Sequence, residues 1–135
     1  MKVIFACVHN AGRSQMAAAF FNQMADLSKV TAVSAGTAPA DTIHAVVLDA
    51  MKEVGIDLSN AKPQLLTDEL ASQAQMLVTM GCGQVCPNQP GLRQKNWSLA
   101  DPKDKSPKEV ASIRDEIKTK VADLLHELGA LAQEI

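Results

Sequence analysis

Apolar positions change period several times along the chain, and the changes divide it into alternating strands and helices. Lys2 to Cys7 (KVIFAC) is an almost unbroken apolar run, the pattern of a strand buried on both faces. From Gly12 to Asp26 the period lengthens. Met16, Phe20 and Met24 recur every fourth residue, which predicts a helix. Val30 to Ser34 predicts a second strand, ended by Ala35-Gly36. Thr42 to Val54 predicts a second helix with an inward stripe of Ile43, Val46, Val47, Ala50, Met51 and Val54, and Gly55 fits its stop. A short helix is expected over Thr67 to Ser72, a third strand over Gln75 to Met80 (QMLVTM), and a short fourth over Asn96 to Leu99 (NWSL). Ser106-Pro107-Lys108-Glu109 is a capping box with proline at the first helical position. It opens a last helix whose stripe is Val110, Ile113, Ile117, Val121, Leu124, Leu125 and Leu128.

Strands that alternate with helices need a parallel sheet with both faces covered. The expected fold is α/β: a single-domain, flavodoxin-like, doubly wound four-stranded parallel sheet with helices on both faces. No repeat, low-complexity stretch or linker interrupts residues 1–135, so one domain is expected. In such sheets ligands sit beyond the carboxyl ends of the strands, where strand order switches. Cys7 ends the first strand, Cys82 follows the third and Asp101 follows the fourth. All three chemical groups are expected at one rim.

Composition narrows the partners. Hydrophobic residues make up 47% of the chain and aromatics 3%, so aliphatic side chains must fill the core. The net charge is -2 and no lysine or arginine run stands out, so a nucleic acid or an anionic membrane has no electrostatic footprint here. No segment reads as a signal peptide or membrane span, and a cytoplasmic monomer is expected. Three cysteines do not make a disulfide framework. In a reducing compartment they point to catalysis, redox chemistry or metal binding.

The loop Cys7-Val8-His9-Asn10-Ala11-Gly12-Arg13-Ser14 joins a strand directly to a helix. The first amides of a helix lack partners and carry partial positive charge, so a loop wrapped over them cradles an anion. Arg13 adds a two-pronged donor that matches two oxygens of a tetrahedral oxyanion. Gly12 allows a tight turn and close approach to the ligand. The same field favours thiolate over thiol at Cys7, and the thiolate is the species that attacks. Ser14 is expected to donate a hydrogen bond to the sulfur or to help it leave later. His9 is expected to line the rim, and His44 and His126 fall on helices without a chemical role. Asp101-Pro102 offers a carboxylic acid at the same rim, fixed by the proline, to protonate a leaving oxygen. The nearby Asp104 is expected to be solvated.

Cys7, Asn10, Arg13 and Ser14, spaced this way after a first strand, resemble the low-molecular-weight phosphatase superfamily, and Asp101-Pro102 resembles its general-acid loop. The likeness runs from about residue 2 to residue 128. Arg13-Ser-Gln-Met-Ala17, Ser34-Ala-Gly36 and Met51-Lys-Glu-Val-Gly-Ile-Asp57 resemble its arsenate reductase branch. Tyrosine phosphatases of the superfamily usually have proline where this chain has Gln15, and often carry tyrosines beside the acid loop. This chain has no tyrosine. The resemblance therefore implies reduction of arsenate through a Cys7 adduct, and hydrolysis of phosphate monoesters is the alternative.

Cys82 and Cys86 follow the third strand in Gly81-Cys82-Gly83-Gln84-Val85-Cys86-Pro87. Cysteines four apart fit a helical turn, near the Cα spacing a disulfide allows. Two loop thiols without a role would also fit. Zinc lacks the second ligand pair of a structural site, so no metal is expected. The resemblance implies a relay in which Cys82 attacks Cys7 and Cys86 resolves the disulfide. The Thr79-Met-Gly-Cys-Gly83 and Cys86-Pro87 pattern is also similar to arsenate–mycothiol transferases, where a small thiol attacks the arsenylated cysteine directly. No tightly bound cofactor follows from either likeness. Both imply an external thiol reductant: thioredoxin, glutathione with glutaredoxin, or mycothiol with mycoredoxin.

Overall fold

The computed structural model describes residues 1–80 and 92–131, so Cys82 and Cys86 lie outside the described residues. Four strands form one sheet: β1 (Lys2–Cys7), β2 (Thr31–Gly36), β3 (Met76–Thr79) and β4 (Arg93–Asn96). Their order is β2-β1-β3-β4, and every neighbouring pair is parallel. The helices are α1 (Arg13–Met24), α2 (Ala45–Glu53), α3 (Asp68–Ser72) and α4 (Pro107–Leu128). This is the doubly wound arrangement that the alternation predicts. Strand order reverses around β1, so the crevice beyond Cys7 is where a ligand is expected.

Central β1 is buried on both faces, and its alternation divides the core in two. Val3, Phe5 and Cys7 join α1, α2 and α4 in the larger cluster, which includes Phe20, Phe21, Met51, Ile117 and Leu125. Ile4 and Ala6 join Ala35, Leu66 and Leu77 on the other face, with Leu70 from α3 packed against them. Phe5 is wholly buried, edge-on to Phe21 at a ring separation of 5.6 Å. Burying such a side chain contributes about 1.5–3 kcal/mol.

The last helix starts as its sequence requires. Ser106 Oγ accepts from the Glu109 amide, and the Glu109 carboxylate accepts from the Ser106 amide. Gly129 ends α4 in the left-handed conformation at φ 65. Buried Arg114 ties α4 to α2: it donates to Ala50 O at 2.8 Å, to Glu53 at 3.3 Å and to Asp115 at 2.9 Å. The hydrogen bond to Asp115, followed by the pair with Glu53, holds its pKa above the ordinary arginine value.

The fourth strand differs from its expected position. It pairs through Arg93–Asn96 (RQKN), not through Asn96 to Leu99. An edge strand with long polar side chains is protected against further pairing, so its apolar content is low. Trp97 and Leu99 are not strand residues. They leave the sheet and pack onto the larger core, Trp97 at 5.6 Å from the Phe5 ring. The second strand also extends further than expected, to Gly36, and α2 begins later, at Ala45. The reason for both shifts is the loop after β1, which takes the residues between them as a brace. No described helix is long and apolar enough to cross a membrane.

Candidate active site

Residues 37–44 lie along the loop after β1 and take up its carbonyl oxygens. Cys7 O accepts from the Thr37 amide at 3.3 Å, Val8 O from Ala38 at 2.8 Å, His9 O from Ala40 at 2.9 Å and Ala11 O from His44 at 3.1 Å. The loop amides are treated oppositely. Those of Val8, His9, Asn10, Ala11 and Gly12 donate to no acceptor among the described residues. With its carbonyls engaged and its amides without an acceptor among the described residues, the loop presents donors at the start of α1. That is the arrangement an oxyanion needs.

Two close approaches require glycine. A Cβ at Gly36 would lie 2.5 Å from Val8 O and 3.0 Å from Asn10 N, so β2 can pass beneath the loop only without a side chain there. A Cβ at Gly12 would lie 2.7 Å from Pro102 Cγ. Gly12 therefore makes room for the loop that carries Asp101, a packing role the sequence reading did not assign to it.

Cys7 is buried at 3% exposure, with its Sγ 2.9 Å from Ser14 Oγ. The hydrogen-bond directions around Ser14 can be worked out. The Gln64 amide, which can only donate, reaches Asn10 Oδ1 at 2.9 Å. Asn10 Nδ2 is then the donor to Ser14 Oγ at 2.7 Å. Ser14 accepts there, and its own proton is left for the sulfur. Asn10 holds this position at φ 51, in the left-handed region that asparagine tolerates better than most residues.

Arg13 opens α1 and crosses to the loop after β4. It donates to Leu99 O at 3.1 Å and lies 3.8 Å from Asp101 Oδ2. Its side chain is 12% exposed and that of Asp101 is 50% exposed. The carboxylate accepts from the Lys103 amide at 3.0 Å in a tight turn, and Pro102 behind it is buried. Asp101 and Arg13 thus stand at one rim with Cys7. His9 is exposed, with Nδ1 3.2 Å from Ala38 O, so that nitrogen carries the proton. Asp104 is exposed at φ 61, as its expected solvation requires. No group of three or more metal-ligating side chains occurs among the described residues.

The sequence reading missed Gln64, Leu99 and the role of Gln15 in this site. The Gln64 amide and the Leu99 carbonyl act through the backbone and leave no residue-type signal. Gln15 was visible as glutamine where phosphatases have proline. Its amide nitrogen contacts Asn10 O at 3.0 Å and Asn10 Oδ1 at 3.2 Å. The expected position of Cys82 beside Cys7 needs β1 and β3 to be neighbours, and they are: Ala6 pairs with Thr79, and the Met80 amide donates to Ala6 O at 2.7 Å.

The fold and the loop together define a class: α/β proteins that end their first strand on a cysteine at the mouth of an amide-and-arginine oxyanion cradle. Comparison with known proteins places the chain within that class. It belongs to the low molecular weight phosphotyrosine protein phosphatase family, whose sequence profile matches residues 2–134. A provisionally named arsenate reductase of Halobacterium salinarum is 40% identical over 130 residues, covering 93% of this chain and 91% of that protein. A solved thioredoxin-dependent arsenate reductase from Corynebacterium glutamicum is 40% identical at a TM-score of 0.82; the match covers 95% of this chain and 61% of that one. A solved arginine phosphatase is 25% identical at a TM-score of 0.84, with 96% of each chain covered.

Proposed function

We propose that the chain is an arsenate reductase that uses Cys7 as nucleophile. The observation that carries the reading is the Cys7–Ser14 pair at 2.9 Å, inside a loop whose amides are free to bind an oxyanion. The names of the relatives, reductases at 40% identity, support arsenate as that oxyanion.

The residues divide the work as follows. The amides of Val8 to Gly12, with Arg13, bind three arsenate oxygens and hold the arsenic over the sulfur. The Cys7 thiolate attacks arsenic, and one oxygen leaves as water after Asp101 gives it a proton. Ser14 donates to the sulfur whenever it carries charge. Cys82 then attacks Cys7 Sγ. The electron pair of the sulfur–arsenic bond passes to arsenic, and arsenite leaves. Cys86 attacks Cys82 in turn, freeing Cys7. An external dithiol reduces the Cys82–Cys86 disulfide. Thioredoxin is the donor this reading favours, because the Corynebacterium glutamicum relative is named as thioredoxin-dependent. In the variant with a small thiol, mycothiol or glutathione attacks the adduct in place of Cys82, and mycoredoxin or glutaredoxin completes the cycle.

Arsenate-dependent oxidation of NADPH tests this, with thioredoxin, glutathione–glutaredoxin and mycothiol–mycoredoxin coupling run in parallel. Turnover with any one of them supports the reductase. No turnover in all three, with clear hydrolysis of an aryl phosphate by the same preparation, overturns it in favour of a phosphatase.

A further inference from the structure

Gln15 lies in the first turn of α1 and is 5% exposed. Its amide faces three oxygens: Asn10 O at 3.0 Å, Asn10 Oδ1 at 3.2 Å and Lys62 O at 3.3 Å. Three acceptors on one side fix the nitrogen toward them, and its two protons are shared among them. Two of the three belong to Asn10, one on the main chain and one on the side chain. Asn10 is also the loop residue held at positive φ. Gln15 therefore grips both the backbone and the amide of the one side chain that sets the direction of the Ser14 hydroxyl.

We propose that Gln15 is a positioning residue that keeps Cys7 reactive by locking Asn10, so that the proton of Ser14 stays directed at the sulfur. The proposal rests on the reading of Cys7 as nucleophile. The order of donation is Gln15 and Gln64 to Asn10 Oδ1, Asn10 Nδ2 to Ser14 Oγ, and Ser14 to Cys7 Sγ. Without Gln15, Asn10 Oδ1 keeps the Gln64 amide alone, and the left-handed backbone loses its bond from α1. The Asn10 amide is then held against turning by that one bond. If its oxygen faces Ser14, the hydroxyl proton goes to that oxygen and the thiolate loses its donor. Lys62 enters through its main-chain carbonyl. Gln15 thus also ties the loop to the segment at residues 62–66, where the Leu66 amide donates to Gly36 O and Gln64 O accepts from the Gly36 amide.

The test is the pH dependence of Cys7 alkylation by iodoacetamide. Trypsin releases Val3 to Arg13, a peptide with Cys7 as its one cysteine, so mass spectrometry follows this thiol separately from Cys82 and Cys86. Gln15→Met keeps the length of the side chain and removes its donors. It should slow Cys7 alkylation about tenfold on the acid limb of the profile, the scale of one lost hydrogen bond to a charged sulfur, with the rates converging at alkaline pH. In a Ser14→Ala background the same substitution should change nothing further. Arg13, Asp101, His9 and Lys62, the charged and titratable residues of this rim, are the same in every variant. An unchanged profile, or an equal slowing with and without Ser14, overturns the proposal. If Gln15→Met does not fold, Gln15→Asn takes its place: it keeps an amide but is too short to hold both Asn10 and Lys62, and the same outcomes apply. A wild-type Cys7 no more reactive than Cys82 and Cys86 removes the nucleophile reading itself, and turnover of arsenate by the wild type reads that independently.

Discussion

Gly12→Ala places a methyl group into the contact between the loop after β1 and the loop that carries Asp101-Pro102. The added Cβ meets Pro102 Cγ at 2.7 Å, about 0.7 Å short of ordinary contact, and Pro102 Cδ at 3.5 Å. Ring pucker absorbs a few tenths of an ångström. The proline ring is bonded to its own main chain, so the rest must come from a shift of the Asp101-Pro102 backbone. Val47 Cγ2, 3.7 Å away, is in ordinary contact with the added methyl. Asp101 sits next to the shifted residue, 3.8 Å from Arg13, and moves with it. Overpacking of this kind costs about 1–3 kcal/mol of stability. In the mechanism proposed above Asp101 protonates the leaving oxygen, and displacing such a donor by an ångström or less costs up to about 10²-fold in turnover. The assay is arsenate turnover with saturating reductant, beside Cys7 alkylation as a control on the nucleophile. Turnover should fall by one to two orders of magnitude, with alkylation nearly unchanged. Two further variants locate the cause. With Asp101→Asn already present, Gly12→Ala should add little. With Pro102→Ala, which has no Cγ, it should add little again. Wild-type turnover in Gly12→Ala, or an undiminished loss in both backgrounds, would refute the packing argument.

Cys7→Ser should abolish arsenate turnover and leave the circular dichroism spectrum unchanged; residual turnover would remove Cys7 as nucleophile. Cys86→Ser should stop a thioredoxin-coupled cycle and spare one driven by a small thiol, as read from NADPH oxidation, and an effect on neither would remove it as the resolving thiol. Arg114→Met removes the donor to Ala50 O at the end of α2 and the pair with Glu53. It should cost about 2 kcal/mol and lower the melting temperature by roughly 5–10 °C, with turnover unaffected. A melting temperature within a degree of wild type would show that α2 and α4 do not depend on it.

Where periodicity and packing agree, the elements lie where the pattern places them. KVIFAC is a strand over its full length, and Ser106 to Glu109 caps α4 as a reciprocal pair. Where apolar residues serve something other than a strand, the pattern misleads. Trp97 and Leu99 are apolar because they cover the larger core from a loop, and the strand before them is polar because it lies at the edge. The site divides similarly. Cys7, Asn10, Arg13, Ser14 and Asp101 were singled out from residue type and spacing, and their side chains meet one another: Cys7 and Asn10 through Ser14, Arg13 beside Asp101. Gln64, Leu99 and Lys62 contribute main-chain atoms, and any residue offers the same atoms. Their roles exist only once the chain has folded. Gln15 falls between these cases: its departure from the phosphatase pattern was visible, but its reach to two separate segments was not.

The cradle by itself does not separate a reductase from a phosphatase, because phosphate and arsenate present the same tetrahedral oxygens to the same amides. The difference lies in what must fit beyond the anion. A phosphotyrosine brings an aromatic ring, and binding a ring takes apolar or aromatic side chains at the rim. This chain has three phenylalanines, one tryptophan and no tyrosine. Phe5, Phe20 and Phe21 are wholly or almost wholly buried, and Trp97 packs on Phe5 beneath the sheet edge. The three phenylalanines are thus committed to the core, and Trp97 is half-buried against it. The described rim consists of His9, Ala38, Leu99 and Asp101 around Arg13 and Cys7. It has donors for an oxyanion and no aromatic wall for a leaving group. The lack of such a wall among the described residues bears on an aromatic leaving group alone, and a bare inorganic oxyanion needs none.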